Sequence, residues 1–253
     1  MEFEKLELFP GHDKNGIKEQ FSPLTMKRGE LYTIVGSTGS GKSRLIKDIE
    51  QLANGDSVTG RRVRLNGESL RGRQRLDASR SIVAHLAQNM RFVLDTSVGN
   101  FIKLHAGCRS KDISPTEVLS LANRLTPEPI FMEENLNLLS GGQARSLMIA
   151  DIALICDSPI VLIDEIENAG LDKEEALRTL QSQDKLVLVV THEIHTALMS
   201  SQRIVMRNGA ILSIVSRTPA EQTLFQKLSQ QYHEEQRLRC LLRAGMHLEA
   251  LSS

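Results

Sequence analysis

Short, nearly unbroken apolar runs alternate along this chain with longer segments whose apolar residues recur at helical spacing. Leu31–Val35 is a β-prone run that stops abruptly at Gly36. Residues 43–53 then place Leu45, Ile46, Ile49 and Leu52 at helical spacing. A strand, a glycine loop and a helix are therefore expected in direct succession. Residues 61–65 alternate and end at Asn66-Gly67, a turn signal, and residues 81–86 predict another strand. From 97 to 139 the pattern is helical, with breaks at Pro115, Pro127 and Pro129, and residues 144–156 read as one further helix. Residues 160–163 and Leu186–Val190 are nearly all apolar, as strands covered on both faces require. Helical stretches separate them, which predicts an α/β fold with a mostly parallel sheet. The segment 223–251 mixes Leu224, Leu228, Leu238, Leu241, Leu242 and Leu248 with many charges. It predicts one or two amphipathic helices packed on the rest of the chain, too small for a core of their own.

Composition narrows the functional classes. The chain has 253 residues, 40% hydrophobic and 25% charged, which excludes a mostly disordered or fibrous protein. Lys and Arg number 31 and Asp and Glu 31, so no net field steers nucleic acid or an acidic membrane. With 4% aromatic residues and no Trp, stacking on bases is a poor expectation, and nucleic acid is not an expected partner. Cys108, Cys156 and Cys240 lack metal-ligand spacing and predict reduced thiols in a cytoplasm-like compartment. The start, Met1-Glu2-Phe3-Glu4-Lys5, is charged, and the most apolar window, 147–163, is interrupted by Asp151, Asp157 and Pro159. No membrane span is expected, so a spanning part would come from another chain. Arg61, Arg62, Arg64, Arg71, Arg73, Arg75 and Arg80 crowd one stretch. They read either as the solvated face of a β-hairpin-like region or as a contact surface for an acidic partner, RNA or lipid headgroups.

The chemistry begins at Gly36-Ser37-Thr38-Gly39-Ser40-Gly41-Lys42-Ser43, which fits G-x-x-x-x-G-K-[ST] in full. Glycines let successive backbone N–H groups curl around phosphate oxygens with no Cβ in the way. The following helix adds its positive N-terminal end. Lys42 can reach the β- and γ-phosphates, and the Ser43 hydroxyl can ligate Mg²⁺. The run 160–163 ends in Asp164-Glu165. In open parallel sheets ligands bind beyond the C-terminal strand ends, so Asp164 is suited to hold Mg²⁺ and Glu165 to polarise an attacking water. A second glycine motif, Leu139-Ser140-Gly141-Gly142-Gln143, opens another helix and so makes a second anion-binding start. One triphosphate already held by Lys42 does not need both.

At this point the sequence resembles the ATP-binding cassette (ABC) ATPase family, whose signature is LSGGQ, over roughly residues 3–215. The resemblance implies a P-loop NTPase with a RecA-like, mostly parallel core, an inserted helical subdomain at about 89–155 and an antiparallel β subdomain. The cassette would span 1–222, with a helical tail over 223–253. It implies ATP and Mg²⁺ as ligands and a head-to-tail dimer. There Ser140, Gly141, Gly142 and Gln143 of one copy cap the γ-phosphate in the other copy's loop. Gln88 matches the Q-loop glutamine, which senses Mg²⁺ and the γ-phosphate, and His192 matches the switch histidine. Ala169-Gly170-Leu171-Asp172 resembles the D-loop, with Asp172 near the nucleotide. Phe9 is the candidate for stacking on adenine. The family's commonest role is the cytoplasmic subunit, peripheral at the inner membrane face, that energises a separate transmembrane subunit. The alternative is a soluble ATPase that remodels a protein or metallocofactor partner. It is motivated by Ile166-Glu167-Asn168, which replaces the usual Pro and small residue after Asp-Glu and leaves the stretch to Asp172 one residue longer than common.

Overall fold

Two β-sheets sandwich a layer of apolar side chains, and helices cover the outer face of the larger one. The computed structural model describes residues 3–248, with the side chains of Arg80, Asn168 and Ala169 outside that description. The smaller sheet is antiparallel, in the order β2-β1-β4, built from β1 (Lys5–Phe9), β2 (Leu24–Lys27) and β4 (Arg62–Leu65). The larger sheet has the order β5-β6-β7-β3-β8-β9. Its strands are β3 (Leu31–Val35), β5 (Val83–Leu86), β6 (Ile160–Asp164), β7 (Leu186–Val190), β8 (Gln202–Arg207) and β9 (Ala210–Ser216). All neighbouring pairs are parallel except β8 and β9.

The helices are α1 (Lys42–Glu50), α2 (Gly72–Ile82), α3 (Val98–Cys108), α4 (Pro115–Leu125) and α5 (Gly141–Leu154), then α6 (Lys173–Ser182), α7 (Ile194–Met199) and α8 (Pro219–Arg243). Strands β6 and β7 explain the unbroken apolar runs. Leu162 and Leu188 face the layer between the sheets, with Leu6, Leu8, Met26, Leu45 and Ile49. Val161, Ile163, Val187 and Val189 face the helical side, with Ile102, Leu121, Leu147 and Leu177. Helices α3, α4 and α5 all fall between β5 and β6 in the chain.

Four expectations need correction. The arginine-rich stretch is not a hairpin: residues 72–82 form α2, because Arg, Gln, Leu and Ala favour helix, and the strand expected at 81 starts only at Val83. Arg61 is not on a solvated face. It is fully buried, pairing with Glu19 at 2.6 Å and Asp48 at 3.0 Å. Its Nη2 also donates to the Gly209 carbonyl at 2.8 Å. Within the helical stretch read through 139, α4 ends at Leu125, where Thr126 is already extended and Pro127 and Pro129 follow, and a single 3₁₀ turn, Leu136–Leu138, comes after. The tail is one helix that begins at Pro219, inside the expected cassette boundary, because Thr218 and Glu221 form a capping box. None of its residues is buried, and Leu224, Leu242 and Leu248 are exposed. Residues 249–253, including Leu251, lie outside the described residues.

Candidate functional site

Strands β6, β7 and β3 are adjacent and parallel, so the segments after their C-terminal ends meet at one edge. The phosphate loop follows β3, Asp164-Glu165 ends β6 and Thr191-His192 follows β7. Gln88 follows β5, the strand on the other side of β6.

The loop depends on its glycines in two different ways. Gly39 has φ 77° with open space around it, so its need is conformational. Gly41 has φ 104°, and a Cβ there would lie 2.8 Å from Gly209 Cα, so its need is also steric. Gly209 in turn donates its N–H to the Ser40 carbonyl at 2.8 Å, which fixes the loop against the β8–β9 turn. Lys42 is buried, and its Nζ donates to the carbonyls of Gly36 (2.9 Å) and Ser37 (3.2 Å). Burial lowers the pKa of this ammonium, while Glu165 and Asp164 pull it back up. The first N–H groups of α1 have no intrahelical acceptor, as at any helix start. Ser40 Oγ is buried without a hydrogen-bond partner. This donor-rich concavity, with one ammonium and an orphaned hydroxyl, fits a phosphate chain. Ser43 is exposed beside it, and Asp164 and Gln88 add further oxygen ligands of the kind Mg²⁺ takes.

A cleft of about 400 Å³ continues from the loop, lined by His12, Lys14, Gly41, Lys42, Lys47 and Val58 among others. Phe9 is not among its lining residues. Its ring carries the Arg64 guanidinium 4.5 Å from the centroid, so the structure does not present Phe9 to this cleft. His12 and Lys14 occupy the cleft instead, and Lys14 Nζ donates to the Gly39 carbonyl at 2.8 Å.

At the acidic strand end, Glu165 adopts the left-handed region, φ 52° and ψ 69°, which turns its side chain out of the strand direction. Gln88 Nε2 donates to Glu165 Oε2 at 2.6 Å, and His192 Nε2 lies 3.7 Å from Glu165 Oε1. The amide, carboxylate and imidazole expected from separate motifs are thus brought together. The atypical 166–168 segment also has a use. Glu167 Oε1 accepts hydrogen bonds from Thr191 Oγ1 (2.9 Å) and from the His192 backbone N–H (3.0 Å). It ties the two strand ends that carry Glu165 and His192. Sequence reasoning noticed Glu167 only as a departure.

Arg145 was missed altogether. From α5 its guanidinium donates to the carbonyls of Asp164 (2.6 Å) and Gln88 (3.3 Å), and burial lowers its pKa. Only its position one turn into the signature helix could have flagged it.

Ser140 caps α5. Its Oγ accepts the Gln143 N–H, and the Gln143 side chain accepts the Ser140 N–H, the capping box that starts the helix three residues earlier than expected. Ser140, Gly141 and Gly142 line a separate cleft with Gln88, Arg91 and Asn137. That cleft and the phosphate-loop cleft have no lining residue in common. Asp172 is placed as the cap of α6, accepting the Glu175 N–H at 3.1 Å.

A glycine loop between a strand and a helix, with an acidic strand end one strand away in a parallel sheet, defines a P-loop nucleoside triphosphatase. The family model for the ABC transporter matches residues 21–168. An uncharacterised ABC transporter ATP-binding protein of Methanocaldococcus jannaschii is 50% identical over 232 residues, 91% of this chain and 89% of that protein. An ATP-dependent lipid A-core flippase of Pectobacterium atrosepticum is 31% identical over 73% of this chain but only 32% of its own length. Among solved structures, cbiO1 of Clostridium perfringens, part of the ABC transporter complex cbiONQ, superimposes with a TM-score of 0.65 at 19% identity, covering 96% of this chain and 100% of that one. A dimeric post-hydrolysis ATP-binding cassette bound to ADP and Pi gives a TM-score of 0.61 at 24% identity, covering 83% and 98%. The chain belongs to the ABC transporter family and is an ATP-binding subunit with ATPase chemistry. None of the described helices is long and apolar enough to cross a membrane.

Proposed function

We propose that this chain is the ATP-driven subunit of a membrane transporter. Two copies pair head to tail, so that each phosphate loop faces the other copy's Ser140, Gly141 and Gly142. The observation that supports this reading is that the signature helix start and the phosphate loop line different clefts on one chain, with no lining residue in common. In this reading each half-site is completed by a second chain.

Within a closed pair, Lys42 and the loop N–H groups hold the β- and γ-phosphates. Glu165 polarises the attacking water, with Gln88 bonded to one of its oxygens and His192 beside the other. Ser43, Asp164 and Gln88 would hold Mg²⁺, which when bound neutralises phosphate charge. Losing the γ-phosphate removes contacts that favour closure, so hydrolysis reopens the pair. The chain sits at the inner face of the membrane by docking on a transmembrane subunit. Its docking surface is the apolar groove of Leu86, Met90, Phe92, Leu94, Met148 and Ile152, adjoining Gln88. Cassette and tail act as two parts, with α8 as the tail. The soluble-remodeller alternative rested on the 166–168 segment, and Glu167 now accounts for that segment within the site itself.

Purification from detergent-solubilised cells tests the reading. A multi-span membrane protein is expected to accompany the tagged chain at stoichiometric amounts. Recovery with soluble partners alone overturns it.

A further inference from the structure

One side chain of the tail helix touches the start of α6 and reaches the segment after β7 through Lys173. Tyr232 Oη accepts the Lys173 backbone N–H at 3.2 Å and donates to Asp172 Oδ1 at 3.3 Å, at the start of α6. Its ring lies 4.9 Å from Lys173 Nζ, and that ammonium pairs with the carboxylate of Glu193, the residue after His192. The same ring stacks on His195 of α7 at 5.0 Å, and His195 Nε2 bonds Glu174 Oε1 at 2.8 Å. Burial, with Asp172 next in weight, raises the Tyr232 pKa well above its ordinary value, so the phenol keeps its proton and remains a donor. A helix anchored merely to cover the surface has no need of a polar bridge at this place. Leu224 and Leu242 of α8 are exposed and Leu228, Leu238 and Leu241 are half-buried, while Phe225 and Tyr232 stack on His195.

We propose that Tyr232 is a positioning residue through which the C-terminal helix holds the 169–172 segment and the His192–Glu193 segment in register for hydrolysis. The inference rests on the catalytic reading above. Tyr232 touches no reacting atom; it acts on His192 through Lys173 and Glu193. Its loss is therefore felt in turnover and not in nucleotide capture, which belongs to the loop after β3.

Tyr232→Phe keeps the stacking and removes only the hydroxyl. In the full-length protein, kcat for ATP is expected to fall at least about fivefold, since the hydroxyl makes two hydrogen bonds, one of them to the Asp172 carboxylate. KM and the affinity for a fluorescent ATP analogue should stay at wild-type values, with the melting temperature lower by no more than about a few degrees. Wild-type kcat in Tyr232→Phe, or a rise in KM matched by lost thermal stability, overturns the proposal. Glu165→Gln in the same assay reports on the catalytic reading alone. Wild-type turnover there removes that reading and the brace with it. Lost turnover there together with wild-type kcat in Tyr232→Phe removes the brace only.

Discussion

Gln88 Nε2 and Glu165 Oε2 lie 2.6 Å apart, joining the segment after β5 to the acidic end of β6. The amide orients one carboxylate oxygen, while the other points to His192. A general base works only when its acceptor is aimed, so in the role proposed for Glu165 this contact would prepare it before any substrate arrives.

Replacing Glu165 by Gln keeps the size and removes the base. ATP turnover, followed by phosphate release, is expected to drop at least ~100-fold while ATP binding persists. Size-exclusion chromatography with ATP should then show accumulated pairs of chains.

Lys42→Ala removes the ammonium that presently rests on the carbonyls of Gly36 and Ser37. A charge-assisted bond of about 1.5–3 kcal/mol is lost, so ATP affinity measured by calorimetry should weaken by roughly 10- to 100-fold.

Glu167 supplies a single oxygen to both Thr191 and the His192 backbone. Glu167→Ala is expected to lower kcat several-fold with little change in KM. Glu167→Gln retains a carbonyl acceptor and should restore most of the rate, a rescue that a steady-state comparison of the two variants checks.

Arg61 neutralises Glu19 and Asp48 in the interior. Arg61→Met leaves both carboxylates buried without their cation, at a cost of about 3–5 kcal/mol. Urea titration should show the loss as a lower midpoint. Exposed Arg73, replaced in the same way, should leave the midpoint unchanged.

Burial, reinforced by Lys173, holds the His195 imidazole below its ordinary pKa, so the folded protein keeps it neutral. The unfolded chain takes up a proton below about pH 6.5, where the folded one does not. This contribution to stability is complete above that pH and shrinks as acid carries the solution toward the folded-state value. Between pH 7 and 5.5 the wild-type melting temperature should fall more than that of His195→Gln.

The phosphate loop, Asp164-Glu165 and the signature were legible because each is a contiguous motif at an element boundary, and His192 only through the resemblance those motifs carry. Strands β6 and β7 were readable because both of their faces are buried. The pieces that escaped are those made by distant residues. Arg61 looked like surface charge because its partners, Glu19 and Asp48, lie in other elements. Arg145 acts through backbone carbonyls, which carry no sequence signal. Helix α2 was hidden by its arginines, whose charge suggested a surface role and obscured a good helix-forming composition. Phe9 was placed by its position in the chain, yet Arg64 from the neighbouring strand covers its ring.

Since the phosphate-loop cleft and the signature cleft share no lining residue on one chain, the proposed head-to-tail pair would own its two reaction chambers jointly. In such a pair a lesion at Ser140 would spare the bearer's own loop and disable the one belonging to its healthy sister. Inheritance of such damage would not be private: mixed populations of intact and defective copies would lose function through the company they keep.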